Sequence, residues 1–137
     1  MAYVLVIYRY KYSLMQIQPQ ASSELLQKFV VEGLQEIKGE NITILDLREI
    51  ESAVTDFFII AEGNSNTQVN ALSDSVHKSV RENIGDRPWH IEGKENAEWV
   101  LMDYVNVVVH IFQKGTREFY DLESLWGDAP TTTLENL

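Results

Sequence analysis

The sequence predicts an α/β domain in which helices pack on the faces of a single mixed five-stranded sheet. Two long stretches carry apolar residues every three to four positions, and five short runs have the length and composition of strands. The two kinds alternate along a chain of 137 residues, the length of one domain.

From Leu25 onward the apolar positions Leu26, Phe29, Val30, Leu34 and Ile37 mark one face of a helix. Ser22 or Ser23 suits its N-cap, and Gly39 lies where a left-handed C-terminal residue is wanted, so the helix is expected over about Ser23 to Lys38. Ile42 to Leu47 reads as a strand. Phe57 to Ala61 is continuously apolar, as expected of a central strand covered on both sides. The turn from Gly63 to Asn66 ends it, with Ser65 or Asn66 placed to cap a second helix whose stripe is Val69, Leu72, Val76, Val80 and Ile84. Gly85 stops that helix, and Pro88 prevents its resumption. Trp89 to Ile91 is a short edge strand. Glu98 to Asp103 and Val105 to Phe112 are too close for anything but a tight reversal about Tyr104-Val105-Asn106, so they form an antiparallel pair. Phe119, Leu122 and Leu125, spaced by three, predict a closing helix from Thr116 to Leu125.

Three segments follow: an extension over 1–20, a folded domain over 21–128 and a flexible tail over 129–137. The extension combines an apolar run, Ala2 to Tyr8, with Arg9, Lys11 and Tyr12. It is too short to span a bilayer and lacks the layout of a secretory signal. Three readings stay open: a strand added to the sheet edge, a membrane-surface tether, or sequence upstream of a true start at Met15.

Eleven basic against 21 acidic residues leave a net charge of −10. Such a surface repels phosphate backbones and shows no Lys/Arg run, so little direct nucleic-acid contact is expected, and a basic protein surface is the natural partner. The absence of cysteine excludes disulfides, thiolate metal sites and a cysteine nucleophile.

Functional side chains crowd between Gly93 and Trp126: Trp99, Asp103, Tyr104, His110, Phe112, Arg117, Tyr120, Asp121, Glu123 and Trp126. Trp, Tyr and Arg dominate protein–protein hot spots, and we read this segment as an interaction surface built on a strand pair. Strand alternation puts Trp99, Leu101 and Asp103 on one face, so Trp99 and Asp103 can address one partner patch; a core tryptophan fits the same spacing. Asp121, Glu123, Glu118 and Asp103 would form an acidic rim. Trp126, among Leu122 and Leu125, reads as core closure. His77, His90 and His110 show no metal-ligand spacing, and His110, inside an apolar strand, is either packed or an interface contact. The Gly63–Ser65 junction can hold an anion at a helix N-terminus, as a metal-dependent nucleotidyltransferase would require, but no Asp-x-Asp pair follows it. A structural turn is the simpler reading.

These residues resemble a known family. Asp56-Phe57-Phe58-Ile59-Ile60-Ala61-Glu62-Gly63-Asn64-Ser65 is similar to a stretch typical of the ribosomal silencing factor family (RsfS, also called Iojap). So are Glu92-Gly93, Ala97 to Tyr104, Val107 to Phe112 and Arg117 to Trp126, in order, over about Leu25 to Pro130. The resemblance implies a cytoplasmic, non-enzymatic translational repressor without cofactor or metal, often a homodimer. It would bind the large ribosomal subunit through ribosomal protein uL14 and sterically block subunit joining when nutrients are scarce. It also implies a nucleotidyltransferase-like fold without the catalytic carboxylates, the alternative being a metal-dependent enzyme of that kind. The family's contact surface corresponds to Trp99, with Asp103, Tyr104 and His110. Many members have Gly-Asp before the Val-rich strand, where this chain has Val105-Asn106.

Overall fold

Helix α1 (Ser23–Glu36) begins where the Ser22 hydroxyl accepts the Leu25 N–H at 3.2 Å, the local bond that makes serine a preferred cap. It ends before its expected limit. Lys38, not Gly39, takes the left-handed conformation, with φ +59°. Gly39 serves by its size: a Cβ there would lie 3.1 Å from Leu72 Cδ2 and 3.2 Å from the Leu34 carbonyl. The computed structural model describes residues 22–137, so the three readings of 1–20 lie outside the described residues.

Strands β1 (Glu40–Asp46) and β2 (Phe57–Gly63) pair antiparallel. Helix α2 (Asn66–Ile84) follows, capped by Ser65 and closed by left-handed Gly85 at φ +66°. Strands β3 (His90–Glu92), β4 (Trp99–Asp103) and β5 (Val107–Gln113) complete the antiparallel half, and β5 returns to lie parallel to β2. Every residue of β2 is buried, as its apolar run predicts for a strand with neighbours on both sides.

Two features depart from expectation. Among the described residues the sheet has six strands, in the order β3-β4-β5-β2-β1-β6. The sixth, β6 (Thr131–Thr133), lies in the segment expected to be a flexible tail and pairs antiparallel with β1. The Leu134 N–H donates to the Ile42 carbonyl at 2.8 Å, and Asn136 Oδ1 accepts from the Asn41 N–H at 2.8 Å. Three threonines read as polar and frayed, but β-branched residues suit an exposed edge strand. The closing helix is also broken in two, α3 (Lys114–Tyr120) and α4 (Leu122–Leu125), by Asp121 at φ +46°. The break turns only Leu122 inward and leaves Phe119 80% and Leu125 62% exposed.

Alternation divides the core. Val100, Met102, Val107, Val109, Ile111, Ile59 and Ala61 face α1 and α2. Leu101, Val108, Phe112, Phe58 and Ile60 face the other way, under Leu122, Ala129 and the segment containing Ile50 and Val54. The helices touch closely because Gly33 lacks a side chain; a Cβ there would lie 2.8 Å from Val76 Cα. Arg117 ties the second layer to the sheet. Its guanidinium donates to Glu123 Oε1 at 2.8 Å, the Asn41 carbonyl at 2.8 Å and Thr43 Oγ1 at 3.0 Å, and it pairs with buried Glu62 at 3.4 Å.

The β4–β5 turn carries the main backbone strain. Val105, a β-branched residue, sits at φ +77°, a conformation that glycine adopts freely. This explains why Val105 is unusual at a position where Gly is expected from the resemblance.

Two stability predictions follow from this geometry. Val105→Gly releases about 1–3 kcal/mol of strain while losing about 1.5–3 kcal/mol of side-chain burial, so urea denaturation should find it near neutral. Val107→Gly, at an extended and fully buried position, should cost at least about 2 kcal/mol; equal losses at the two sites would contradict the strain. Arg117→Met leaves the buried Glu62 carboxylate without its cation, with only the Asn41 amide still donating to it, and should cost about 3–5 kcal/mol. A loss under about 1 kcal/mol would show that the pair does not hold α3 in place.

Candidate functional site

Trp99 opens β4, and its position is set by the preceding loop. Gly93 has φ +92°, and a Cβ there would fall 2.0 Å from the Trp99 carbonyl oxygen, so only glycine allows the loop to pack on the strand. Trp99 pairs with Phe112 across the β4–β5 ladder, and Leu101 with His110. The indole is partly buried and meets three rings: Phe112 stacked at 4.8 Å, Tyr120 tilted at 5.0 Å and His110 at 5.9 Å between centroids. Its Nε1–H donates to His110 Nδ1 at 3.1 Å.

The contacts continue in both directions. Inward, His110 meets Phe58 edge-on at 4.7 Å, and Phe58 meets Trp126 at 5.6 Å. Outward, Tyr120 meets Phe119 edge-on at 5.1 Å. A row of aromatic rings thus runs from the core to solvent. It ends on Tyr120, 53% exposed, and Phe119, 80% exposed.

Of the residues assigned to partner binding by the sequence, only Trp99 reaches this surface. The expectation that Asp103 projects beside it into water is not met: Asp103 is 1% exposed. Its Oδ1 accepts the Val105 N–H at 2.8 Å, because the left-handed turn leaves that amide without a ladder partner and the preceding carboxylate satisfies it. Tyr104 is 3% exposed and packs on the helix side of the sheet, where burial and the Asp86 charge raise the phenol pKa well above its ordinary value. His110 is 1% exposed. Phe119 and Tyr120 take the place of these residues at the surface. Phe119 and Tyr120 are consecutive on a helix of seven residues, about 100° apart around its axis, so a narrow core-facing stripe cannot take both.

The acidic rim takes a corrected form without Asp103. Glu118, Asp121 and Glu123, with Arg117, Glu62, Thr131 and Thr133, line a cleft of about 560 Å³ between α3 and β6. The cleft and the exposed aromatics share helix α3. The Gly63–Ser65 junction is closed on itself: Ser65 Oγ accepts the Gln68 N–H at 3.1 Å, and Gln68 Oε1 accepts the Asn64 N–H at 2.7 Å. His90 pairs with Glu92 at 2.7 Å. Among the described residues, no group of three or more His, Asp or Glu is arranged to hold a metal ion, and no helix is long and apolar enough to cross a membrane.

Burial pushes the His110 pKa down to about 3. The unfolded chain, with an ordinary imidazole near ~6.5, then binds the proton more readily than the folded one. Stability from this group is complete above ~6.5 and falls by about 1.4 kcal/mol per pH unit below it. Between pH 7 and pH 5 the protein should lose roughly 2 kcal/mol more than His110→Leu loses, measured by urea denaturation. Parallel curves for the two proteins would show that His110 titrates normally.

The family model described as ribosomal silencing factor during starvation matches residues 19–137. The ribosomal silencing factor RsfS of Halalkalibacterium halodurans is 43% identical over 117 residues, covering 85% of this chain and 97% of that protein. That of Bacillus subtilis is 44% identical over 98 residues, 72% of this chain and 81% of its own length. A crystal structure from Chromobacterium violaceum superposes with a TM-score of 0.74 at 38% identity, covering 78% of this chain and 88% of that one. The chain belongs to the ribosomal silencing factor family.

Proposed function

We propose that this protein is a non-enzymatic regulator of translation in the cytoplasm. It docks its Trp99–Tyr120–Phe119 face on the large ribosomal subunit, at the basic protein uL14, and so blocks joining of the small subunit. The observation that carries this reading is the exposed end of the aromatic row, beside an acidic cleft, on a chain of net charge −10. Monomeric proteins rarely expose contiguous aromatic surface without use, and acidic side chains around an aromatic centre select a cationic partner. The name of the family supports the ribosome as that partner.

The burial of Asp103, Tyr104 and His110 changes their part in this reading. They shape the hairpin that presents Trp99, while Trp99, Tyr120 and Phe119 make contact and Glu118 and Asp121 supply charge. Blocking is steric, so no bond is made or broken and no metal or cofactor takes part. Homodimerisation, a common property in the family, would be compatible with docking only if the dimer leaves this face open.

Truncating a central tryptophan typically costs at least ~2 kcal/mol of binding, roughly thirtyfold in affinity. Trp99→Ala should therefore abolish cosedimentation with large subunits at concentrations where the wild type binds. Phe119→Ala, on a residue already 80% exposed, should weaken binding without altering thermal unfolding. Binding should also decline steadily as salt rises. Wild-type cosedimentation by both variants would remove this face from the interaction.

A further inference from the structure

We propose that His110 is a positioning residue for the Trp99 contact: its Nδ1 fixes the indole of Trp99 before any partner arrives, and the partner never touches it. The inference rests on the reading of Trp99 as a docking residue and adds what holds that residue in place.

The Trp99 indole N–H donates to Nδ1 at 3.1 Å. A nitrogen that accepts carries no proton, so the neutral ring must hold its proton on Nε2. That Nε2 is buried and makes no hydrogen bond among the described residues. An unpaired buried donor is costly, and an apolar side chain at 110 would avoid it amid Phe58, Phe112 and Leu101. The molecule tolerates this loss at a position from which an acceptor reaches the indole.

The other restraints on the indole are weaker in kind. Phe112 and Tyr120 meet it through ring faces, and such contacts persist when rings slide or tilt. The N–H···N bond is directional and selects one orientation of the ring. A side chain ordered in advance loses less freedom on docking, which improves affinity without adding a contact. The register makes this possible: Leu101 faces His110 and Trp99 faces Phe112, so Trp99 and His110 are diagonal neighbours on one side of the sheet.

The test uses full-length protein and isolated large ribosomal subunits. His110→Leu removes the acceptor, while His110→Asn carries an oxygen where Nδ1 lies. His110→Leu should bind about fivefold to tenfold more weakly, and His110→Asn should recover most of that loss. In a Trp99→Ala background, His110→Leu should have no further effect. Nitrogen-15 spectra add a readout that a purely structural role would not move. His110 should show the Nε2–H tautomer, and the Trp99 indole N–H should exchange with solvent more slowly than that of Trp89, which is 51% exposed. His110→Leu should abolish that protection.

If Trp99→Ala weakens binding while His110→Leu binds as the wild type does, positioning is overturned and docking stands. If Trp99→Ala binds normally, docking through Trp99 falls and positioning falls with it. An Nδ1–H tautomer in the wild type overturns the proposal without any variant, even if His110→Leu does not fold.

Discussion

The register of β4 on β5 decides which side chains reach the aromatic surface. It sets Trp99 opposite Phe112, Leu101 opposite His110 and Asp103 opposite Val108. A slip by one residue would send Trp99 to the helix side and bring Val100 and Met102 out. The turn holds this register through bonds from the Tyr104 N–H to the Val107 carbonyl and from the Val105 N–H to Asp103. Left-handed Val105 is strained, and the Asp103 carboxylate secures it. The buried Asp103 carboxylate thus helps to decide which way the more exposed Trp99 points.

The two faces of the sheet are finished differently. On one, long helices α1 and α2 bury a continuous apolar stripe, and α2 serines fix their contact: Ser75 Oγ donates to the Gly33 carbonyl and Ser79 Oγ to the Phe29 carbonyl, both at 2.7 Å. On the other, two short helices and a loop provide partial cover. Short helices bury little by themselves, so α3 relies on Arg117 and its bonds to β1, β2 and α4. The thin cover is what allows an aromatic row to begin in the core and end in water.

Much of this architecture was legible in the sequence, and the failures have physical causes. The long helices and central strands follow from periodicity, and the Gly85 stop from the freedom of glycine. The side of the strand taken by Trp99 follows from alternation, as does its separation from Val100 and Met102. Alternation does not report depth, however. Asp103 was expected to project beside Trp99 because alternation puts the two on one face, but it is buried and satisfies the orphan amide of a strained turn. The spacing of Phe119, Leu122 and Leu125 predicts one closing helix, but left-handed Asp121 breaks it and leaves Phe119 in water. Strand β6 was missed because its pairing partner lies some ninety residues earlier in the chain, and local composition carries no record of such a partner.

A folded face that docks by a preformed aromatic end should protect a small, predictable set of amides. Hydrogen exchange on the protein, free and bound to large ribosomal subunits, measures this most directly. Docking through this face should slow exchange at the start of β4 and through α3, with α1 and α2 unchanged. Protection concentrated on α1 and α2, with α3 exchanging as it does in the free protein, would contradict it.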